Sequence, residues 1–199
     1  MLKELLRSLA TRESSKTVYN QYRNRDILHN LEIYFEYLLD QPSGVLAIGE
    51  APGYRGCRLT GIPFTSGAVI NDRKHCMCKT IASQIILEEV VSETTAKILW
   101  ELLNEDMPVP ILWNAFPFHP HQENKPDSNR KPNLEEVDEG SYYLRMVHDI
   151  FKPSKICGIG RVGESILKNW FPNEQVIYIR HPSHGGKKDF IKDMRKVLH

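Results

Sequence analysis

The chain has 199 residues, of which 41% are hydrophobic and 26% are charged, a length and composition typical of one globular domain over residues 1–199. Its formal net charge is only +1, which argues against a protein that coats nucleic acid, so any phosphate contact must come from a local basic patch. No apolar run approaches the roughly 20 residues that cross a bilayer, and the N-terminus has no cleavage signal, so we expect a cytoplasmic protein without a membrane partner.

The cysteines give no sign of a disulfide framework. They are Cys57, Cys76, Cys78 and Cys157, and no two of them form a C-x-x-C pair. Such pairs are typical of metal or redox sites, whereas regularly spaced even sets are typical of small secreted domains. We therefore expect four reduced thiols.

Apolar segments with helical and strand-like patterns alternate along the chain. A helical stripe between Leu28 and Leu39 should end near Pro42. The predicted buried strands are residues 45–48, 111–113, 155–160 and 176–179. The later predicted helices are residues 68–103, in one or two pieces, 134–151, 164–170 and 189–198. A proline-containing loop over residues 115–132 follows the second strand, and Asn133 can cap the helix after it.

This alternation predicts an α/β protein, a three-layer α/β/α sandwich with a mainly parallel four-stranded central sheet. In open parallel sheets, ligands bind beyond the carboxyl ends of the strands. The segments that directly follow the four strands are therefore the candidate sites.

A glycine motif follows the third strand. Gly158, Gly160 and Gly163 have the G-x-G-x-x-G spacing of dinucleotide-binding proteins. A complete unit of that kind also needs an acidic residue at the end of the next strand, where this chain has Arg180 and His181. We interpret the glycines as small residues that let a helix pack closely on its strand, and a nucleotide-dependent enzyme is the less favoured alternative.

The loop after the first strand combines an irregular backbone with side chains suited to a ligand. It reads GEAPG over residues 49–53 and continues as GIPF over residues 61–64. Glu50 can hold a water or act as a base, and Phe64 can lie flat against a planar ring. The alternative is a structural turn in which Phe64 only plugs the core.

The second strand ends at Asn114, whose amide offers a donor and an acceptor that suit the edge of a pyrimidine. An asparagine at a strand end can equally fix a loop. The long loop that follows holds His119 and His121, but no third ligand stands at a metal-site spacing, so we expect no metal. The same loop carries the basic residues Arg130 and Lys131.

The fourth strand leads into a turn of small and basic residues. His181 stands at its start and can donate a hydrogen bond to a developing oxyanion, although a histidine there can also be purely structural. Ser183, Gly185, Gly186 and Lys187 offer a hydroxyl, backbone N–H groups and an ammonium that can hold phosphates.

In this order the motifs resemble those of the uracil-DNA glycosylase superfamily. GEAPG at residues 49–53, followed by the GIPF segment, is similar to the first motif of the branch with a Gly-Glu-Ala/Gly-Pro-Gly loop. Asn114 with NRKP at residues 129–132 is similar to that branch's strand asparagine and Asn-Arg-x-Pro stretch. His-Pro-Ser at residues 181–183 is similar to the C-terminal motif of the superfamily.

The resemblance implies a DNA glycosylase that flips uracil or a related deaminated base out of DNA and hydrolyses its N-glycosidic bond. Phe64 would stack on the flipped base and Asn114 would read its Watson–Crick edge, with Ala51 beside them in the base pocket. His181 would stabilise the leaving base anion, and Glu50 would position the attacking water.

The implied partner is DNA that contains a damaged base, bound by a monomer. Arg130, from the Asn-Arg-x-Pro stretch, would join Ser183, Gly185, Gly186 and Lys187 in contacting the DNA backbone.

Three features depart from the resemblance. Ala51 stands where several branches carry a water-activating Asp or Asn, which leaves open a non-catalytic or diverged protein that binds nucleic acid or a nucleobase. The four cysteines that hold an iron–sulfur cluster in the Gly-Glu-Ala/Gly-Pro-Gly branch have no counterparts here, so we expect no cofactor. The residues His184, Gly185 and Gly186 stand where a large apolar wedge would hold the DNA stack open.

Overall fold

Residues 1–103 and 107–199 are described by the structure, a computed structural model. Its helices are α1 (Leu2–Thr11), α2 (Arg25–Asp40), α3 (Cys57–Thr60), α4 (Gly67–Asp72), α5 (Cys76–Ile81), α6 (Thr94–Leu102), α7 (Leu134–Phe151), α8 (Gly160–Trp170) and α9 (Lys187–Leu198). Its strands are β1 (Val18–Tyr19), β2 (Val45–Gly49), β3 (Ile111–Asn114), β4 (His119–Pro120), β5 (Lys155–Ile159) and β6 (Val176–Ile179).

The central sheet contains four parallel strands in the order β3-β2-β5-β6. The register pairs Gly49 with Asn114 and Ile159 with Ile179, so the carboxyl ends of the strands meet at one edge. Every residue of β2 is buried, as expected for a strand covered on both faces. A four-stranded parallel sheet flanked by helices confirms the predicted α/β class.

Aromatic side chains attach α2 to the outer strand β3. The Phe35 ring lies 5.6 Å from the Trp113 ring and 5.2 Å from that of Phe151 in α7. The Tyr34 hydroxyl accepts a hydrogen bond from the Leu112 N–H at 3.1 Å, which satisfies one backbone donor on this strand. The edge of the sheet next to Asn114 is therefore held by packing and by a hydrogen bond.

The glycines of the G-x-G-x-x-G motif bring α8 against the sheet. A Cβ atom on Gly163 would lie 2.5 Å from the Ile48 carbonyl oxygen, and one on Gly158 would lie 2.2 Å from the Glu164 nitrogen. Neither position can hold a side chain without moving backbone. This close approach of helix and strand supports the packing interpretation of the motif.

Several boundaries differ from the sequence-based prediction. Residues 68–103 form three helices, because Arg73 at a φ of 48° ends α4 and residues 82–93 are not helical. The Asn30 side chain holds that irregular segment by donating to the Ile86 carbonyl at 2.8 Å and accepting from its N–H at 2.8 Å. Helices α8 and α9 each begin a few residues earlier than predicted.

Other local features agree with the sequence or add to it. Asn133 caps α7 in a reciprocal capping box with Glu136. Within the predicted loop at residues 115–132, the short strand β4 pairs with β1 in antiparallel fashion. Within the described ranges, no helix is long and apolar enough to cross a membrane.

Candidate active site

The carboxyl ends of β2 and β3 form the floor of the site. A Cβ atom on Gly49 would lie 2.2 Å from the Phe64 ring and 3.1 Å from the Asn114 Oδ1 atom. Only a residue without a side chain therefore fits between them. The strand pairing and this glycine together bring the Phe64 ring and the Asn114 amide to the same place.

Phe64 is held in an unusual backbone conformation. Its φ of 54° lies in the left-handed region, which bulky residues rarely adopt. The indole N–H of Trp100 lies within hydrogen-bonding distance of the Phe64 carbonyl and of the Thr65 hydroxyl, at 3.2 Å from each. Such strain is typical of functional sites where the surrounding structure fixes a side chain.

Asn114 is 4% exposed, and its side-chain amide has no hydrogen-bond partner in residues 1–103 and 107–199. A buried amide normally has its donors and acceptor satisfied. Because Asn114 faces a cavity, its free donor and acceptor can pair with a bound molecule.

His181 is oriented by the turn that follows it. The Ser183 backbone N–H donates to Nδ1 at 3.2 Å, and the Ser183 hydroxyl lies 2.7 Å from the same nitrogen. Since Nδ1 accepts, the neutral ring carries its proton on Nε2, which has no protein partner among the described residues. Gly160 lies beside this histidine at a φ of 81°, a left-handed conformation that favours glycine.

Burial lowers the pKa of His181, while the charge of Glu93 opposes this shift and His184 adds to it. The neutral ring is therefore favoured over the cation. Glu50 is half-buried in the same cavity, and burial raises the pKa of its carboxyl against the opposing effect of Lys131. The site thus contains a neutral N–H donor and a carboxylate with increased affinity for a proton.

These side chains line one cavity of about 380 Å³ at the carboxyl edge of the sheet. The sequence-predicted residues that line it are Glu50, Ala51, Phe64, Asn114, Arg130 and His181. Ser183, Gly185 and Gly186 lie on the turn after β6 and Lys187 begins α9, all outside this lining.

Arg130 is bound within the protein. All five of its N–H donors are used: two by the Glu136 carboxylate at 2.5 and 2.7 Å, and three by the carbonyls of Thr17, His121 and Lys131. In the free protein Arg130 therefore fixes the long loop and α7, and a DNA contact by this side chain remains a prediction.

The two glycines of the turn after β6 have different surroundings. The Gly186 N–H donates to the Ser183 carbonyl at 3.1 Å, and a Cβ on Gly186 would lie 2.1 Å from the His181 carbonyl oxygen. Gly186 therefore shapes the turn, and its N–H is already paired in the free protein, so a DNA contact there remains a prediction. Gly185 is exposed at a φ of 78° with open space around it.

Lys187 and Ser183 already have partners in the free protein. The Lys187 ammonium lies 3.0 Å from a carboxylate oxygen of Glu101 on α6, and the Ser183 hydroxyl contacts His181. Both side chains are exposed. A DNA contact by Lys187 therefore remains a prediction, whereas Ser183 already orients His181.

The cavity also contains polar side chains to which the sequence assigned no role in the site. Among them are Glu93 and Thr95 at the start of α6, and Lys131 next to Arg130. Glu93 lay within the helix predicted over residues 68–103, so its position as the cap of α6 and its place in the cavity became visible only in the structure.

His119 links two loops of the site. Its ring nitrogens lie 2.8 Å from the Pro52 carbonyl oxygen and 3.1 Å from that of Pro126. Its ring also stacks on His121, with centroids 5.8 Å apart. In the part of the chain that the structure describes, no group of three or more His, Cys, Asp or Glu side chains could hold a metal ion.

The family model of the uracil DNA glycosylase superfamily matches residues 36–197, which include every strand of the central sheet. The chain belongs to this superfamily. Members of the superfamily are DNA glycosylases. No curated protein matches the chain.

A solved structure has the same fold as this chain. SMUG2 from Pedobacter heparinus superposes with a TM-score of 0.67 at 14% sequence identity, over 99% of this chain and 96% of that one. At such low identity the likeness is one of fold, and the chemistry has to be argued from the cavity itself.

Proposed function

We propose that the protein is a monofunctional DNA glycosylase that hydrolyses the N-glycosidic bond of uracil or a related deaminated base flipped into the cavity. One observation carries the proposal. The Phe64 ring, the unpaired Asn114 amide and the free Nε2–H of His181 all line one cavity at the carboxyl ends of the strands. An aromatic face with free polar groups around it suits a planar, polar base.

The charge that develops as the N-glycosidic bond breaks explains why hydrogen-bond donors are needed in the cavity. As the base leaves, negative charge grows on its oxygen atoms and positive charge grows on the sugar. A donor already in place lowers the barrier, because it needs no reorganisation during the reaction. His181 supplies this donor from Nε2, and Asn114 pairs with the edge of the base.

We assign the activation of the attacking water to Glu50. Ala51 lines the cavity but has no polar group to hold water, whereas Glu50 directly precedes it and has a raised pKa. Burial makes this carboxylate a better proton acceptor than an exposed one.

The proposed activity is tested by cleavage of oligonucleotides that carry uracil, hypoxanthine or xanthine, followed by alkali. We expect strand scission at one or more of these bases, and none with undamaged DNA of the same sequence. Absence of scission with all three bases, for a protein that is folded, would contradict the proposal.

Ala51 favours a second candidate, a superfamily member that binds a nucleobase or nucleic acid without cutting it. This protein would retain the Phe64 and Asn114 contacts but have no effective base for water. Binding of the damaged oligonucleotide without release of the base would support this candidate over the first.

The excision rate should rise with pH and then become constant. Glu50 accepts a proton from water only when it is deprotonated, so protonation of Glu50 slows the reaction. Protonated His181 still carries an N–H on Nε2, so protonation of this ring does not remove the donor. Burial raises the pKa of Glu50. The logarithm of the single-turnover rate should therefore rise with a limiting slope of about 1 at low pH, and the profile should level off above the usual range of a carboxyl pKa.

Glu50→Gln should lower the plateau rate and remove this rise with pH, because the amide cannot accept a proton from water. The variant keeps the shape of the side chain but loses the charge. An unchanged pH profile would show that Glu50 only braces the loop.

Single-stranded DNA or a mismatched uracil should be cleaved faster than uracil paired with adenine. The turn after His181 has His184 and Gly185 exposed and no large apolar side chain that could replace an extruded base. Extrusion costs a few kcal/mol in a paired duplex and least where the base is unpaired, so this cost should appear in the rate. Rates on single-stranded, U·G and U·A oligonucleotides of identical sequence measure the effect.

Equal or faster cleavage of the U·A duplex would show that another side chain holds the stack open. Leu134 is the side chain to test in that case. It is 87% exposed and lies three residues beyond Lys131, which lines the cavity.

A further inference from the structure

The first turn of α6 places a second carboxylate in the cavity. Glu93 caps the helix, with Oε1 accepting the Thr95 N–H at 2.9 Å and Oε2 accepting the Ala96 N–H at 2.6 Å. The same side chain lines the cavity with His181 and packs beside Gly56, whose Cβ would lie 3.4 Å from the Glu93 Cγ. Two backbone donors therefore fix a negative charge on the wall of the site.

The two carboxylates of the cavity have different surroundings. Glu93 is held by two N–H groups of a helix start, whereas the Glu50 carboxylate accepts no hydrogen bond within the described residues. Burial raises the pKa of Glu50, which increases the affinity of this carboxylate for a proton. Two acidic groups in different environments commonly divide the work of a reaction between them.

We propose that Glu93 is a second functional carboxylate of the glycosylase reaction, one that stabilises the positive charge on the deoxyribose while Glu50 accepts a proton from the attacking water. The proposal rests on the proposed function. The C1′–N bond breaks and its electron pair leaves with the base. The water oxygen bonds to C1′, and the proton that this water loses goes to Glu50. Glu93 changes no bond; it supplies a charge already in place.

A fixed charge suits this task because it acts without reorganisation in a cavity that is partly shielded from water. It also acts on His181, where it opposes the lowering of the pKa by burial. His184, on the same turn, also acts on the pKa of that ring, and the other charged side chains that line the same cavity among the described residues are Glu50, Arg130 and Lys131.

The test separates the charge of Glu93 from its capping role. Glu93→Asn removes the charge but keeps a residue that caps helices well, and Glu93→Asp keeps both. We expect the Asn variant to lose about 10- to 100-fold in single-turnover rate with unchanged DNA affinity, and the Asp variant to stay within about fivefold of wild type. Glu89→Gln is the matched control, since this exposed carboxylate lies four residues earlier and outside the cavity.

A second measurement does not depend on activity. In the free protein, NMR titration of His181 should give a lower pKa in Glu93→Asn than in wild type, because a nearby negative charge is lost. An Asn variant with the wild-type rate, or with an unchanged His181 titration, would overturn the proposal. So would equal losses in the Asn and Asp variants, which would indicate a cap alone.

The outcome for Glu93 is distinguishable from that for the proposed function. A wild-type protein that cleaves no damaged base contradicts the glycosylase activity and the role of Glu93 in it. An active wild type with a fully active Asn variant contradicts the role of Glu93 alone.

Discussion

Replacement of His181 by alanine is expected to slow base excision by about 10²- to 10³-fold, the loss typical when one preorganised oxyanion donor is removed. The Nε2–H of this histidine has no protein partner among the described residues, and Ser183 holds Nδ1 as an acceptor. The donor is therefore directed at a ligand, and its loss should raise the barrier without weakening DNA binding. Single-turnover rates and DNA affinity measured on the same oligonucleotide check both expectations.

His29→Ala provides the matched control for this experiment. His29 lies in α2 and does not line the cavity. A wild-type rate in His181→Ala would contradict the assignment. A loss of affinity as large as the loss of rate would instead indicate that His181 binds DNA.

Replacement of Asn114 by aspartate is expected to lower uracil excision by about 100-fold or more, because the carboxylate cannot donate the hydrogen bond of the amide it replaces. The variant should also discriminate less between uracil and cytosine. Asn114 is 4% exposed, so a buried polar atom of the base or of the protein would be left unpaired. Competition between uracil- and cytosine-containing oligonucleotides measures the change.

Two further measurements keep this prediction testable if the aspartate lowers stability. Asn114→Ala removes the amide without adding a charge, and its free energy of unfolding can be compared with that of wild type. Asn169→Asp, on the exposed side of α8, makes the same chemical change away from the cavity.

If free uracil perturbed the NMR signals of neither Asn114 nor Phe64, the base would bind elsewhere.

Local sequence patterns were sufficient to predict the fold and the residues at the strand ends. The apolar run of β2 and the capping pair Asn133 and Glu136 depend on near neighbours, so they can be read without the rest of the chain. Because parallel strands end at one edge, the positions of Glu50, Asn114 and His181 directly after strands predicted that they would lie close together.

Local patterns could not show which side chains are already bound by other segments. Arg130 is basic and precedes Lys131, but the sequence cannot show that Thr17 and Glu136 use its donors. The three helices within residues 68–103 likewise depend on Asn30, which binds the irregular backbone at Ile86 from another helix.

The sequence by itself determined the α/β class, the strands and the order of the side chains that follow them, because these depend on hydrophobic period and turn residues. Only the tertiary structure decided which polar groups remain free to act. In the folded chain, the donors of Arg130 are bound by neighbouring groups, whereas the Asn114 amide has no partner among the described residues. Glu93, at the start of α6, lies close enough to His181 to affect its pKa. A polar group can bind a ligand only if distant residues do not already use its hydrogen-bonding capacity. The tertiary packing determines which residues come close enough to do so.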